Sequence, residues 1–254
     1  MNNLSEILAR AESYSYSLPA APEPLAIPKG KNISTWIDHT LLKPEATAEQ
    51  VKLLCQEAKE YQFATVCINP VYVSLAYGLL KDSQVGVGTV VGFPLGATVA
   101  NVKAHEALQC LDMGVNEVDM VMNIGALKGQ AYGQVLNDIC TVKDVLDHHN
   151  VILKVILETG LLTQKEKILA CLLAESAGAD YVKTSTGFGP AGATVEDVSL
   201  MYRVVGRTMK VKAAGGIRTY QDALAMIQAG ASRIGSSSGI KIVNEASSNI
   251  EVQP

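Results

Sequence analysis

The chain has 254 residues, 48% hydrophobic and 18% charged, which is enough for one large domain with a substantial core and too apolar for disorder to be the starting assumption. A formal net charge of −4 supplies no basic field, so electrostatic recruitment to nucleic acid or to an anionic membrane is excluded and any bound anion needs a local site. Five cysteines (Cys55, Cys67, Cys110, Cys140, Cys171) without a C-x-x-C pair suggest neither a disulfide framework nor a thiolate zinc site.

Residues 1–30 open with LSEILARA, a candidate short helix, and continue as SYSYSLPAAPEPLAIPKG, whose four prolines and weak periodicity predict a partly disordered extension. The N-terminus shows no signal or transit pattern, and no run of about 18 apolar residues exists, so a cytoplasmic location without membrane contact is expected. From residue 33 onward, short β-branched runs alternate with longer segments of helical period. Strand candidates begin near Trp36, Ala64, Gly86, Glu117, Val151, Asp180, Met209 and Ser232. Eight starts spaced by about 28 residues predict a single-domain α/β fold, a (β/α)8 TIM barrel over residues 31–243. Segments such as AEQVKLLCQEAKEYQ, VANVKAHEALQCLDMG and QKEKILACLLAESAG carry the apolar stripe of an outer helix, and Gly114, Gly178 and Gly230 stand where such helices end. The last stretch, NEASSNIEVQP (residues 244–254), reads as a frayed tail.

In such a barrel the chemistry gathers at the C-terminal ends of the strands. The fourth strand, EVDMV, encloses Asp119 among apolar residues, which an inert strand would hardly choose. Lys154 in the fifth, VILKV, is its expected ion-pair partner; from the residues alone the pair serves either to tune a proton acceptor or merely to hold the core. The sixth strand, YVKTSTG, places Lys183 mid-strand, either as a buried nucleophile or as a lysine snorkelling out at a strand end. The seventh, MKVKAAGG, adds Lys212 near its end, while Lys210 falls at the barrel bottom in solvent. Two neighbouring ammonium groups destabilise each other, so one can lose its proton near neutrality and attack a carbonyl.

The loops after strands seven and eight, AAGGIRT and IGSSSG, are rich in backbone donors without bulky side chains. Gly215, Gly216, Ser237 and Ser238, with Gly187 of TSTG, are therefore candidate phosphate ligands, although tight turn packing explains any one glycine equally well. The spacing of Gly86, Gly88 and Gly92 does not fit a dinucleotide loop. His39, His105, His148 and His149 form no metal-ligand pattern, so no metal is expected.

Taken in order, IDHTLLKP, TVCINP, GFPLGA, EVDMVMNIG, LKVILETG, YVKTSTGF, VKAAGGIRT and IGSSSG resemble the deoxyribose-phosphate aldolases over residues 33 to 240. The resemblance implies a class I aldolase that reversibly cleaves 2-deoxy-D-ribose 5-phosphate to acetaldehyde and D-glyceraldehyde 3-phosphate, without a metal or other cofactor. It makes Lys183 the Schiff-base nucleophile and Lys212 and Asp119 proton donors and acceptors, and the strand reading adds Lys154 as the residue expected to orient Asp119. Asp38, Thr40, Cys67 and Thr186 resemble positions lining the family's substrate pocket. Ser236 stands where the family often has alanine, and no tyrosine follows Tyr220, although some members carry one in the tail. A small phosphosugar is the implied partner, and a homo-oligomer, dimer or tetramer, is allowed for. The competing readings are another phosphosugar Schiff-base barrel aldolase and a catalytically silent barrel acting as a binding protein.

Overall fold

The computed structural model describes residues 4–248. Eight parallel strands close into a barrel in chain order: β1 (Ile37–Leu41), β2 (Thr65–Ile68), β3 (Gly86–Val91), β4 (Glu117–Val121), β5 (Ile152–Ile156), β6 (Tyr181–Lys183), β7 (Lys210–Ala214) and β8 (Arg233–Ser236). Pairing of β8 with β1 through Ile37↔Ile234 and Asp38↔Gly235 completes the ring. Each of the eight expected strands is present. A parallel sheet needs a crossover of a dozen residues or more between neighbours, and the helical segments supply it.

The helices are α1 (Leu4–Tyr16), α2 (Ala48–Tyr61), α3 (Val73–Leu80), α4 (Ala100–Asp112), α5 (Ile124–Lys128), α6 (Tyr132–Asp147), α7 (Gln164–Ser176), α8 (Val195–Val205), α9 (Tyr220–Gln228) and α10 (Gly239–Ser248). Capping boxes start three of them. Thr47 with Gln50, Thr163 with Glu166 and Thr219 with Asp222 each exchange side-chain and backbone hydrogen bonds that satisfy orphan N–H groups. Gly114, Gly178 and Gly230 take positive φ at the expected helix ends. Among the described residues no helix is long and apolar enough to cross a membrane.

The two-residue alternation of the strands sorts the barrel into two environments. Residues of one parity, including Val66, Val118, Met120, Leu153, Val155, Val182, Val211 and Ile234, face the helices and belong to one continuous apolar core. Those of the other parity face inward, and here the interior holds charges where such barrels ordinarily stack branched apolar side chains.

Two features differ from the expectation for the chain ends. The N-terminal segment docks on the barrel: α1 lies along α7 with Ile7 and Ala11 buried in the main core. The stretch after it is tied to α8 and the turn that follows, where Tyr202 donates to the Glu23 carbonyl, Arg203 to those of Leu18 and Pro19, and Arg207 to that of Ala20. At the other end, α10 runs through Ser248 with Ala246 buried, so the boundary expected after residue 243 falls inside a helix. Its apolar face reaches the core, which a count of polar residues in NEASSN does not reveal. Residues 249–254 of the expected tail lie outside the described residues.

Candidate active site

Inward-facing side chains of six strands, β1 and β4 to β8, meet beneath the C-terminal mouth of the barrel. Asp119 of β4 lies at the centre, 1% exposed. Its Oδ1 accepts from Lys154 Nζ at 2.7 Å, and its Oδ2 accepts from both Lys183 Nζ at 2.8 Å and Lys212 Nζ at 2.7 Å. The register produces this: Asp119 is level with Lys154 across β4 and β5, and Lys183 with Lys212 across β6 and β7. Lys183 ends β6 instead of sitting mid-strand, which brings its amine to the mouth.

The contacts continue into a closed ring. Lys212 also reaches Asp38 at 2.5 Å, Asp38 accepts from Arg233 at 2.6 Å, Arg233 pairs with Glu117 at 2.9 Å, and Glu117 pairs with Lys154 at 2.6 Å. Asp38, Lys212, Asp119, Lys154, Glu117 and Arg233 thus alternate in sign around the barrel, three carboxylates against three cations. Alternation is what makes the burial tolerable, since each ion removed from water is flanked by two of opposite sign. Lys183 is the seventh charge, hung on Asp119 outside the balanced ring.

The electrostatics follow from that arrangement. Burial alone would raise the Asp119 carboxyl, but the opposing charges of Lys154, Lys183 and Lys212 outweigh it and hold the group well below the usual carboxylate range. Asp38 is lowered in the same way, burial being overcome by Lys212, Arg233 and Lys154. Burial would strip protons from the cations, yet Asp119 and Asp38 raise Lys212, and Asp119 and Glu117 raise Lys154. Lys212 is therefore a fixed ammonium. The expectation that it and Lys183 simply confront each other is sharpened by this: they share one carboxylate oxygen, and Lys212 is pinned by a second carboxylate.

Above the ring opens a cavity of about 360 Å³. Thr40, Lys183, Thr186, Gly187, Gly215, Gly216 and Ser237 line it, as do Phe188, Arg218 and Lys43. Ser238 does not; it lines a separate groove beside His39, Glu57 and α10, and its N–H is committed to Ser236 Oγ at 3.0 Å. Asp38, Asp119, Lys154 and Lys212 lie in the floor rather than on the cavity wall. Cys67 is buried with Leu42 and Val90 in a small apolar cluster against Phe93, separate from the main core. Burial pushes its thiol up, which argues against a thiolate nucleophile. Among the described residues no group of three or more His, Cys, Asp or Glu is arranged to hold a metal ion.

Gly187 and Gly216 adopt φ of 85° and 82°, with open space where a Cβ would stand. Among the described residues their N–H groups and that of Ser237 donate to no protein backbone acceptor. Three unpaired donors around one cavity suit an anion. Gly235 serves differently: a Cβ there would lie 2.9 Å from Ala214 Cβ and 3.1 Å from Lys212 Cε, so its bareness leaves room for the Lys212 stem.

Arg233, Glu117 and Glu158 escape sequence reading. The first two stand at strand starts, where a charge reads as a solvated end, and Glu158 lies in a turn whose left-handed backbone nothing in ETG announces.

Three comparisons bear on this arrangement. Residues 33–245 match the family model described as DeoC/LacD family aldolase. The chain is 58% identical over 215 residues to a deoxyribose-phosphate aldolase of Caldanaerobacter subterraneus subsp. tengcongensis, covering 84% of this chain and 93% of the relative. In structure it is similar to a Coccidioides immitis protein (45% identity, TM-score 0.90, 96% of this chain and 97% of the other). It is also similar to a tetrameric deoxyribose phosphate aldolase from Aeropyrum pernix (32% identity, TM-score 0.80, 95% and 97%).

Proposed function

This chain belongs to the DeoC/LacD family of aldolases, and we propose that Lys183 is its Schiff-base lysine, kept available by the charge ring beneath it. The reaction is the reversible cleavage of 2-deoxy-D-ribose 5-phosphate to acetaldehyde and D-glyceraldehyde 3-phosphate. The observation that carries the assignment of Lys183 is its place just outside the balanced ring, bonded to Asp119. It is the one interior cation that reaches the cavity, and without its proton the interior holds three carboxylates against three cations.

The neutral amine attacks C1 of the open-chain sugar to give a carbinolamine, and loss of water gives a protonated imine. Two carbons leave as acetaldehyde, so the bond that breaks is C2–C3. Its electrons flow into the imine to form an enamine, while the C3 hydroxyl gives up its proton and D-glyceraldehyde 3-phosphate departs. Protonation of the enamine carbon and hydrolysis then release acetaldehyde and restore the amine. Asp119, bonded to Lys183 and held by Lys212 and Lys154, relays protons to and from the Lys183 nitrogen during carbinolamine dehydration. Three lysines make it a weak base at rest, so its role is to relay rather than to abstract unaided. Lys154 holds its other oxygen, and Lys212 supplies a fixed positive charge that opposes a second one on Lys183.

The substrate phosphate is assigned to the N–H groups of Gly187, Gly216 and Ser237, with Arg218 at the rim. A homo-oligomer belongs to the same reading, supported by the tetrameric Aeropyrum pernix relative. So does a cytoplasmic location, which rests on the cysteine pattern.

Acetaldehyde with borohydride is expected to reduce the imine and leave a two-carbon adduct on Lys183, located by peptide mass spectrometry, and Lys183→Ala to lose cleavage by about a thousandfold or more. An unlabelled Lys183, or full cleavage by the alanine variant, overturns the assignment.

A further inference from the structure

We propose that Glu158, which touches neither the charge ring nor the cavity, is a positioning residue that sets the enzyme's preference for the phosphorylated sugar. It follows β5 and carries a non-glycine residue's rare left-handed backbone, φ 56°. Such a conformation persists only where the surroundings hold it. Here the neighbouring Leu157 and Thr159 N–H groups donate to the carbonyls of Lys183 at 2.9 Å and Thr184 at 3.0 Å, which fixes the turn against the end of β6.

The turn aims the side chain under the β6–α8 loop, residues 184–194. The carboxylate, 2% exposed, accepts from Thr186 N–H at 3.2 Å and Thr186 Oγ1 at 2.5 Å. Thr186 Oγ1 in turn accepts from the Phe188 N–H at 3.0 Å. Gly189 closes over the same carboxylate: a Cβ there would lie 2.6 Å from Glu158 Oε1. The buried carboxylate therefore holds Thr186 directly and Phe188 through the Thr186 hydroxyl, with Gly189 packed over it, and leaves Gly187 presented to the cavity between them. The remaining Oε1 has no partner among the described residues. Burying a carboxylate with one oxygen unpaired is unfavourable, whereas its other oxygen is the acceptor for both Thr186 donors. Its presence makes sense if the rigidity of the loop matters.

This inference rests on the assignment of the phosphate to Gly187, Gly216 and Ser237. A donor displaced by a fraction of an ångström loses much of its hydrogen bond, so slackening the loop weakens phosphate binding while the ring and Lys183, anchored in the strands, keep their geometry.

The test compares 2-deoxyribose 5-phosphate with plain 2-deoxyribose by steady-state kinetics for the full-length chain and the variants Glu158→Ala, Glu158→Asp, Glu158→Gln and Ser237→Asp. In Glu158→Ala the ratio of kcat/KM for the two sugars is expected to fall about tenfold, through KM for the phosphorylated one, with the rate on plain deoxyribose within about twofold of the parent. Glu158→Asp, which tolerates the left-handed backbone but draws the carboxylate back by one methylene, is expected to show the same loss if the alanine variant does not fold. Glu158→Gln keeps an acceptor for Thr186 and restores the ratio. Equal losses on both sugars, or an unchanged ratio in the variant that folds, overturn the role of Glu158. A ratio that falls in Ser237→Asp but not in the Glu158 variants overturns this inference alone, whereas a ratio that survives Ser237→Asp overturns the phosphate assignment and the inference with it.

Discussion

Lys183 and Lys212 donate to the same oxygen of Asp119, at 2.8 and 2.7 Å, but only Lys212 has a second carboxylate, Asp38 at 2.5 Å. That difference of one partner leaves Lys183 the less tightly held of the two amines. Lys212→Leu leaves Asp38 and Asp119 short of a cation and removes the positive neighbour of Lys183. Both changes favour the protonated form of Lys183, so imine formation at neutral pH is expected to slow and its pH–rate profile to move to higher pH. Trapping rates measured across pH 6 to about 10 check this; an unmoved profile removes Lys212 from its role. Four of the six ring members were legible as candidates: Asp119 as a charge among apolar residues, Lys154 as its expected partner, Lys212 as a second lysine beside Lys183, and Asp38 through the resemblance alone. Glu117 and Arg233 were not, because their positions at strand starts look the same whether they face solvent or each other.

At the scale of elements, β8 and the loop after it do two jobs. Gly235 makes space for Lys212, and Ser237 lines the cavity as well as the groove beside α10, whereas Ser238 lines the groove alone. Gly235→Ala forces a methyl against Lys212 Cε, which cannot retreat without leaving Asp119 or Asp38. The expected result is a fall in kcat of about tenfold with KM for the phosphorylated sugar nearly unchanged, read by steady-state kinetics. A rise in KM alone would place Gly235 with the phosphate donors instead. The glycine and serine content of AAGGIRT and IGSSSG was visible in the sequence. Which of two adjacent serines faces the cavity was not, because that depends on how α10 leaves the strand.

For the molecule as a whole, the ring couples the chemistry to stability. Asp38 and Asp119 are lowered in the folded state, so their contribution is present above the ordinary carboxylate range and is lost as pH falls from that range through their lowered values. Lys154 and Lys212 are raised, so theirs is present below the ordinary lysine range and is lost only as pH rises through their elevated values. The interior therefore supports a plateau of stability between about pH 5 and pH 10. Asp119→Asn leaves three lysines around a neutral amide and is expected to cost about 3–5 kcal/mol at pH 7. It also flattens the acid limb, because the carboxylate that titrates there is gone. Denaturant unfolding at a series of pH values tests both, and stability curves that run parallel for parent and variant count against the ring.

The sequence by itself determined the eight βα units, the parity that sends apolar side chains toward the helices, and the lysines and aspartate that had to be buried. All of these are local, written in periods of two and 3.6 residues and in the cost of a charge among apolar neighbours. Tertiary structure alone decided how those charges pair. Asp38 meets Arg233 across 195 positions of chain and Asp119 meets Lys212 across 93, and such meetings depend on the register between strands and on the closure of β8 onto β1. The docking of α1 and the turn at Glu158 are of the same kind, because a surface has no partner, and a strained backbone no support, until the barrel has closed.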